Sequence, residues 1–215
     1  MAWMPVRRWT KRVYVSILDK NMKNVNSNGM DLKKRDAVLS AARDTFLRYG
    51  YKRVTMKDLA EAAGISRPAL YLVFSGKEEV FRGVYEHWVK ETLAQIESKT
   101  APLKTPDEKL RVAFELWTVR PFEMTLASSE VSELLECTFG FAQESVKQGY
   151  RSFEKILVPI LKSHVMFQGS RMKISAEKTA HVLSSAVRGF KVSARDAADL
   201  RSLIKDLLIL ALSDR

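Results

Sequence analysis

Apolar and polar positions along this chain repeat with the period of helices rather than strands. In residues 33–49 the pairs Ala37/Val38, Ala41/Ala42 and Thr45/Phe46, then Tyr49, share one stripe with Arg35, Arg43 and Arg48 off it. This predicts a helix that Gly50 ends. The window TMKDLAEAAGISRPALYLVF at residues 55–74 predicts two short helices joined by a tight turn. Thr55 caps the first, and Asp58 three residues on reaches back in a capping box. Leu59, Ala60 and Ala63 recur at helical spacing, and Gly64 takes the turn, where a positive φ carries no Cβ penalty. Ile65 plugs the turn, Ser66 caps the second helix, Pro68 sits in its first turn, and Leu70, Val73 and Phe74 form its inner face. Arg67, Ala69, Tyr71 and Leu72 are left outside. A helical corner in an all-α core would share any one of these features, but their common register over one window points to a helix-turn-helix. Phe46, Leu59, Leu70 and Phe74 are its expected core.

Ser75-Gly76 breaks the chain, and Lys77 opens a helix of about 22 residues, about 33 Å long, with Val80, Val84, His87/Trp88 and Glu91 or Leu93 along one side. Two prolines, Pro102 and Pro106, interrupt the pattern and mark a boundary. Beyond them residues 107–119 read as one helix and Pro121 begins a short second. Ser129 caps a long segment through about Lys162 that Pro159 kinks near its end, and Ser175 or Ala176 starts a helix to about Ala194. Asp196 caps the last helix, whose Leu200, Leu203/Ile204, Leu207/Leu208 and Leu210/Ala211 cover more than one stripe. The organisation expected is all-α. Residues 1–30 form a disordered basic arm or precede the true start at Met30, residues 31–98 hold the helix-turn-helix domain with motif 55–74 and the connecting helix, and residues 104–215 form a second helical domain.

Composition narrows the function. Of 215 residues 46% are hydrophobic, enough for a buried core, and the formal net charge of +11 favours a polyanionic partner. Between Lys33 and Lys57 eight basic residues face only Asp36 and Asp44, so positive charge gathers beside the motif. A single cysteine, Cys137, excludes an internal disulfide and suits the reducing cytoplasm. No apolar run is long enough for a membrane span or a convincing signal peptide. His87, His164 and His181 lie far apart, and only Glu177 with His181 has a metal-compatible spacing, which an ordinary surface contact explains as well. There is no phosphate loop and no plausible triad, so neither an enzyme nor a cofactor or metal is expected.

The blocks AARDTFLRYGY, TMKDLAEAAGIS and LYLVFSGKEEVF, in that order within residues 33–87, strongly resemble the DNA-binding domain of the TetR (tetracycline-repressor) family of transcriptional regulators. The resemblance covers about a quarter of the chain; Leu72-Val73 departs from it where a second aromatic or a His is frequent, which bears on the operator read. It implies an N-terminal three-helix domain joined by a long helix to a C-terminal helical domain for ligand binding and dimerisation. It also implies a sequence-specific regulator, most often a repressor released from a double-stranded DNA operator by a small-molecule effector. Thr55, Ser66, Arg67, Pro68, Ala69, Tyr71, Leu72 and Lys77 would meet DNA. Trp88, Phe114, Trp117, Phe122, Cys137 and Phe141 would line the effector pocket, although elementary packing makes at least half of them core. Val182, Gly189, Leu203 and Leu207 would join two copies as a homodimer, although a buried core pair reads equally from the residues. A helical protein-interaction module or an α-helical enzyme without DNA binding is the competing class.

Overall fold

The structure, a computed structural model, describes residues 32–167 and 174–212, with side chains described from Arg35 onward except those of residues 139 and 141; the expected arm at 1–30 lies outside the described residues. Among the described residues the chain is helical without strands, and Lys33–Arg215 form one compact unit.

Helix α1 (Leu32–Arg53) breaks internally at Gly50, whose φ of 73° and ψ of 166° lie outside the helical region. α2 (Met56–Ala62), α3 (Arg67–Tyr71) and α4 (Lys77–Thr100) follow, with Gly64 at φ 67° in the turn between α2 and α3. Phe46, Leu59, Leu70 and Phe74 are all fully buried, as the pattern predicts. They pack with Val38, Leu39 and Ala42 of α1 and Val80, Phe81 and Val84 of α4. Tyr49, expected on the buried stripe, is instead 48% exposed. The Gly50 break folds Tyr51 inward in its place, stacked on Phe46 at 5.8 Å and edge-on to Phe81 at 5.3 Å. α3 is also shorter than its pattern, because Val73 and Phe74 already belong to the turn that follows.

α4 has 24 residues and is about 36 Å long at the standard rise. Its first half packs into the cluster above, while Val89 and Ile96 pack into a second. The two cores therefore meet on α4 itself rather than at the prolines.

The second core is built from α5 (Pro106–Phe114), α6 (Arg120–Ala127), α7 (Ser129–Phe141), α8 (Gln143–Lys162), α9 (Ala176–Ser193) and α10 (Ala197–Leu212). Thr105 and Glu108 form a capping box, Ser128 and Ser175 cap α7 and α9, and Asp196 accepts from the Asp199 amide at 2.8 Å. The helix expected over 107–119 ends in a π-helical turn, Glu115–Val119, in which Leu116, Trp117, Thr118 and Val119 are buried in succession. A regular α-helix would turn one of four consecutive side chains towards solvent. The single helix expected over 129–162 is two helices that break at Ala142 (φ −118°, ψ 24°). α7 turns Leu134 and Cys137 onto the N-terminal cluster while α8 buries Phe153, Leu157 and Leu161 in the other, and one straight rod cannot reach both.

Candidate nucleic-acid interface

The motif is rigid because each of its short helices is capped. Thr55 Oγ1 accepts from the Asp58 amide at 3.3 Å and donates to Asp58 Oδ2 at 2.8 Å, and that carboxylate also accepts from the Thr55 amide at 2.8 Å. These bonds, the backbone one foremost, hold the Asp58 carboxyl below its ordinary range. Ser66 Oγ accepts from the Ala69 amide at 3.3 Å, and Pro68 occupies the first turn, where no amide donor is needed. Leu70 then anchors a helix of only five residues in the core. Outside it, Arg67, Pro68 and Tyr71 are exposed, Ala69 is half-buried, and Leu72 at the C-cap is 88% exposed. The Arg67 guanidinium lies over the Tyr71 ring at 5.5 Å and donates to its hydroxyl at 3.4 Å, so the two side chains share one face.

Lys77 differs from expectation. Its ammonium is turned inward, donating to the carbonyls of Tyr51 and Val54 at 2.9 Å each and lying 4.2 Å from the Tyr51 ring centre. The broken end of α1 leaves those carbonyls without helical partners, and a lysine opening α4 reaches them. α1 and α4 are joined again where Arg43 donates to Glu91 at 2.7 Å and His87 lies between Asp36 and Glu91 at 3.3 Å from each. α7 clasps the same head: Arg53 donates to Glu130 at 2.8 Å, and the Lys52 amide to Glu133 at 2.8 Å. Sequence reading missed these pairings, since partners 77 and 81 residues apart leave no local signal.

The residues expected around an effector pocket pack mainly on one another. Trp117 stacks between Phe153 at 4.8 Å and Trp88 at 5.5 Å, Phe114 meets Phe153 edge-on at 5.4 Å, and Phe122 lies against the same core. Cys137 belongs elsewhere, against the N-terminal cluster, where burial pushes its thiol up in pKa. The Phe141 side chain lies outside the described residues. Two surface clefts are lined by none of these residues: one of about 390 Å³ between α5 and α10, and one of about 570 Å³ among α4, α5 and α8. The residues expected at a dimer surface divide. Val182 is 45% exposed and Gly189 faces open space, whereas Leu203 and Leu207 are half-buried and Leu207 packs on its own core. Glu177 and His181 do not converge, because Glu177 pairs with Lys162 at 2.8 Å and His181 with Glu154 at 3.2 Å. Among the described residues no cluster could hold a metal ion, and no helix is long and apolar enough to cross a membrane.

Residues 38–84, which span most of this head, match the family model described as bacterial regulatory proteins, tetR family. The chain is 40% identical over 65 residues to the HTH-type transcriptional regulator YfiR of Bacillus subtilis (strain 168), a match covering 30% of this chain and 32% of that protein. It thus spans about a third of that relative's length. Similarity to the HTH-type transcriptional repressor ComR of Escherichia coli (strain K12) extends further, at 24% identity over 80% of this chain and 84% of ComR. The fold resembles the crystal structure of the transcriptional regulator FadR from Bacillus subtilis in complex with stearoyl-CoA, with a TM-score of 0.55, 16% identity and coverage of 82% and 97% of the two chains. The relatives are transcriptional regulators, not enzymes. Residues 38–84 thus form a capped helix-turn-helix head that matches the tetR family of bacterial regulatory proteins, and the chain as a whole shares an all-helical layout with transcriptional regulators of known structure.

Proposed function

We propose that this protein is a cytoplasmic, homodimeric regulator that binds a DNA operator sequence-specifically and leaves it when a small-molecule effector occupies the second core, acting as a repressor. The observation that carries this reading is the outer face of α3. A five-residue helix, capped by Ser66 and pinned by Leu70, presents Arg67, Pro68, Tyr71 and Leu72 as exposed side chains. In a major groove Arg67 offers paired donors to a guanine, Pro68, Ala69 and Leu72 meet thymine methyls or sugars, and Tyr71 reaches phosphate. Thr55 and Ser66, at helix starts, lie where a backbone phosphate would pass. Lys77 acts from behind, fastening α4 to the turn that leads into α2.

Because α4 shares both cores, a ligand that shifts its second half would tilt the head through Lys77 and the Arg43–Glu91 pair. In a dimer joined through the exposed α9 surface at Val182 and Gly189, such a tilt changes the spacing of two heads and ends their match to two half-sites. Complexes such as FadR with stearoyl-CoA give the effector role its precedent. Selection of bound duplexes from a random pool, followed by salt titration of the winner, tests the reading. A palindromic site bound far more tightly than bulk DNA is expected; binding indifferent to sequence at every salt concentration refutes it.

A further inference from the structure

The head is attached to the second core in two places, along α4 and at the end of α1. α4 runs through both cores, with Val80, Phe81 and Val84 in the head cluster and Val89 and Ile96 in the other. From Lys77 to Val89 it is a rod about 18 Å long at the standard helical rise. A tilt of about 10° about its second half displaces the motif end by about 3 Å, close to the rise of about 3.4 Å per base pair. Two heads tilting in opposite senses change their separation by up to about two base pairs, so a head carried on α4 alone would fit several half-site spacings.

The second attachment resists that tilt. Gly50 is buried at a φ of 73°, and a Cβ placed on it would lie 2.8 Å from Glu133 Oε2 of α7, so the missing side chain leaves a seat for that carboxylate. Glu133 is half-buried there and accepts from the Lys52 amide at 2.8 Å through Oε1. Leu134 and Cys137, on the same stretch of α7, pack against the head cluster. One turn earlier Arg53 meets Glu130 at 2.8 Å, but its side chain is 66% exposed and such a pair adds little. Glu133 differs because it holds a backbone amide, which has no rotamers through which to yield, and a charged acceptor strengthens the bond. We infer that Glu133 is a positioning residue for operator binding: it braces the head against α7, so that a dimer accepts one spacing of half-sites, while each head makes its own base contacts without it. This role rests on the homodimeric, operator-binding reading above and names the residue that sets the spacing read.

The test uses the half-sites of the selected operator in a series of palindromic duplexes whose spacer is lengthened or shortened by one or two base pairs, with a duplex carrying a single half-site alongside. Wild type should prefer one spacer over its neighbours by roughly tenfold or more, because a displaced half-site lies off the face and register of its head. Glu133→Ala should bind the adjacent spacers within about threefold of the best one and bind the single half-site as wild type does. Glu133→Gln, which keeps an acceptor oxygen for the Lys52 amide, should retain most of the preference. A Glu133→Ala protein as selective as wild type, or a Glu133→Gln protein as unselective as Glu133→Ala, overturns the inference. So does loss of half-site binding by Glu133→Ala, which would make Glu133 a support of the motif's own fold. A wild type indifferent to sequence removes the regulator reading and the brace with it, whereas a spacer preference shared equally by wild type and Glu133→Ala removes the brace alone.

Discussion

Lys77→Met separates a lysine that fastens the head from one that touches DNA. In the structure the ammonium donates to the Tyr51 and Val54 carbonyls at 2.9 Å each and sits 4.2 Å from the Tyr51 ring. A hydrogen bond from a charged donor is worth about 1.5–3 kcal/mol and a cation–π interaction about 0.5–1 kcal/mol, before any discount for solvent. Since Lys77 is only half-buried, roughly 2–3 kcal/mol in total is the reasonable expectation. For a chain of this size that lowers the midpoint by about 5–10 °C. Urea unfolding, with the slope unchanged, gives the free energy directly. Operator affinity should be compared at a temperature where both proteins are fully folded, and its dependence on salt should be the same for both. A lysine bound to phosphate would behave oppositely, its removal leaving stability nearly unaltered and making the slope of log affinity against log salt shallower by about 0.9 for each phosphate no longer neutralised. A variant as stable as wild type whose slope is reduced by that amount would show that the ammonium swings out to DNA.

Arg67→Ala should cost about 1–3 kcal/mol of discrimination at one operator position, read by binding to singly substituted sites, while Tyr71→Phe weakens binding on all sites alike; a uniform effect for Arg67 would contradict its reading of a base. Glu130 accepts from its own backbone amide, from Ser128 and Ser129 and from Arg53, which together lower its pKa from 4.5 to about 2. These Glu130 bonds, the local ones at the start of α7 foremost, therefore add stability that is present above pH 4.5 and lost as pH falls towards 2, so acid unfolding of Glu130→Gln should lack that component, and superimposable wild-type and variant profiles would dismiss it. Gly189→Arg should leave the protomer folded, because a Cβ placed there meets nothing within 4 Å, yet sediment as a monomer with weak, salt-sensitive DNA binding. A dimer at micromolar concentration with unchanged operator affinity would place the interface elsewhere. Leu207→Glu is a poorer probe, since Leu207 also packs on its own core.

Local chemistry made the head legible from sequence. Capping by Thr55, Ser66, Ser175 and Asp196, the turn at Gly64 and the buried positions Phe46, Leu59, Leu70 and Phe74 depend on neighbours a few residues away, so spacing carries the information. Tertiary packing decided the rest. Whether Tyr49 or Tyr51 entered the core depended on the backbone direction after Gly50, and the division of residues 129–162 into α7 and α8 depended on two cores pulling one segment in different directions. Lys77 reads as a free cation at a helix start because the carbonyls that capture it lie 26 and 23 residues earlier. The aromatic residues around Trp117 have the composition of a pocket and the packing of a core, and composition cannot tell these apart because both require apolar surface removed from water.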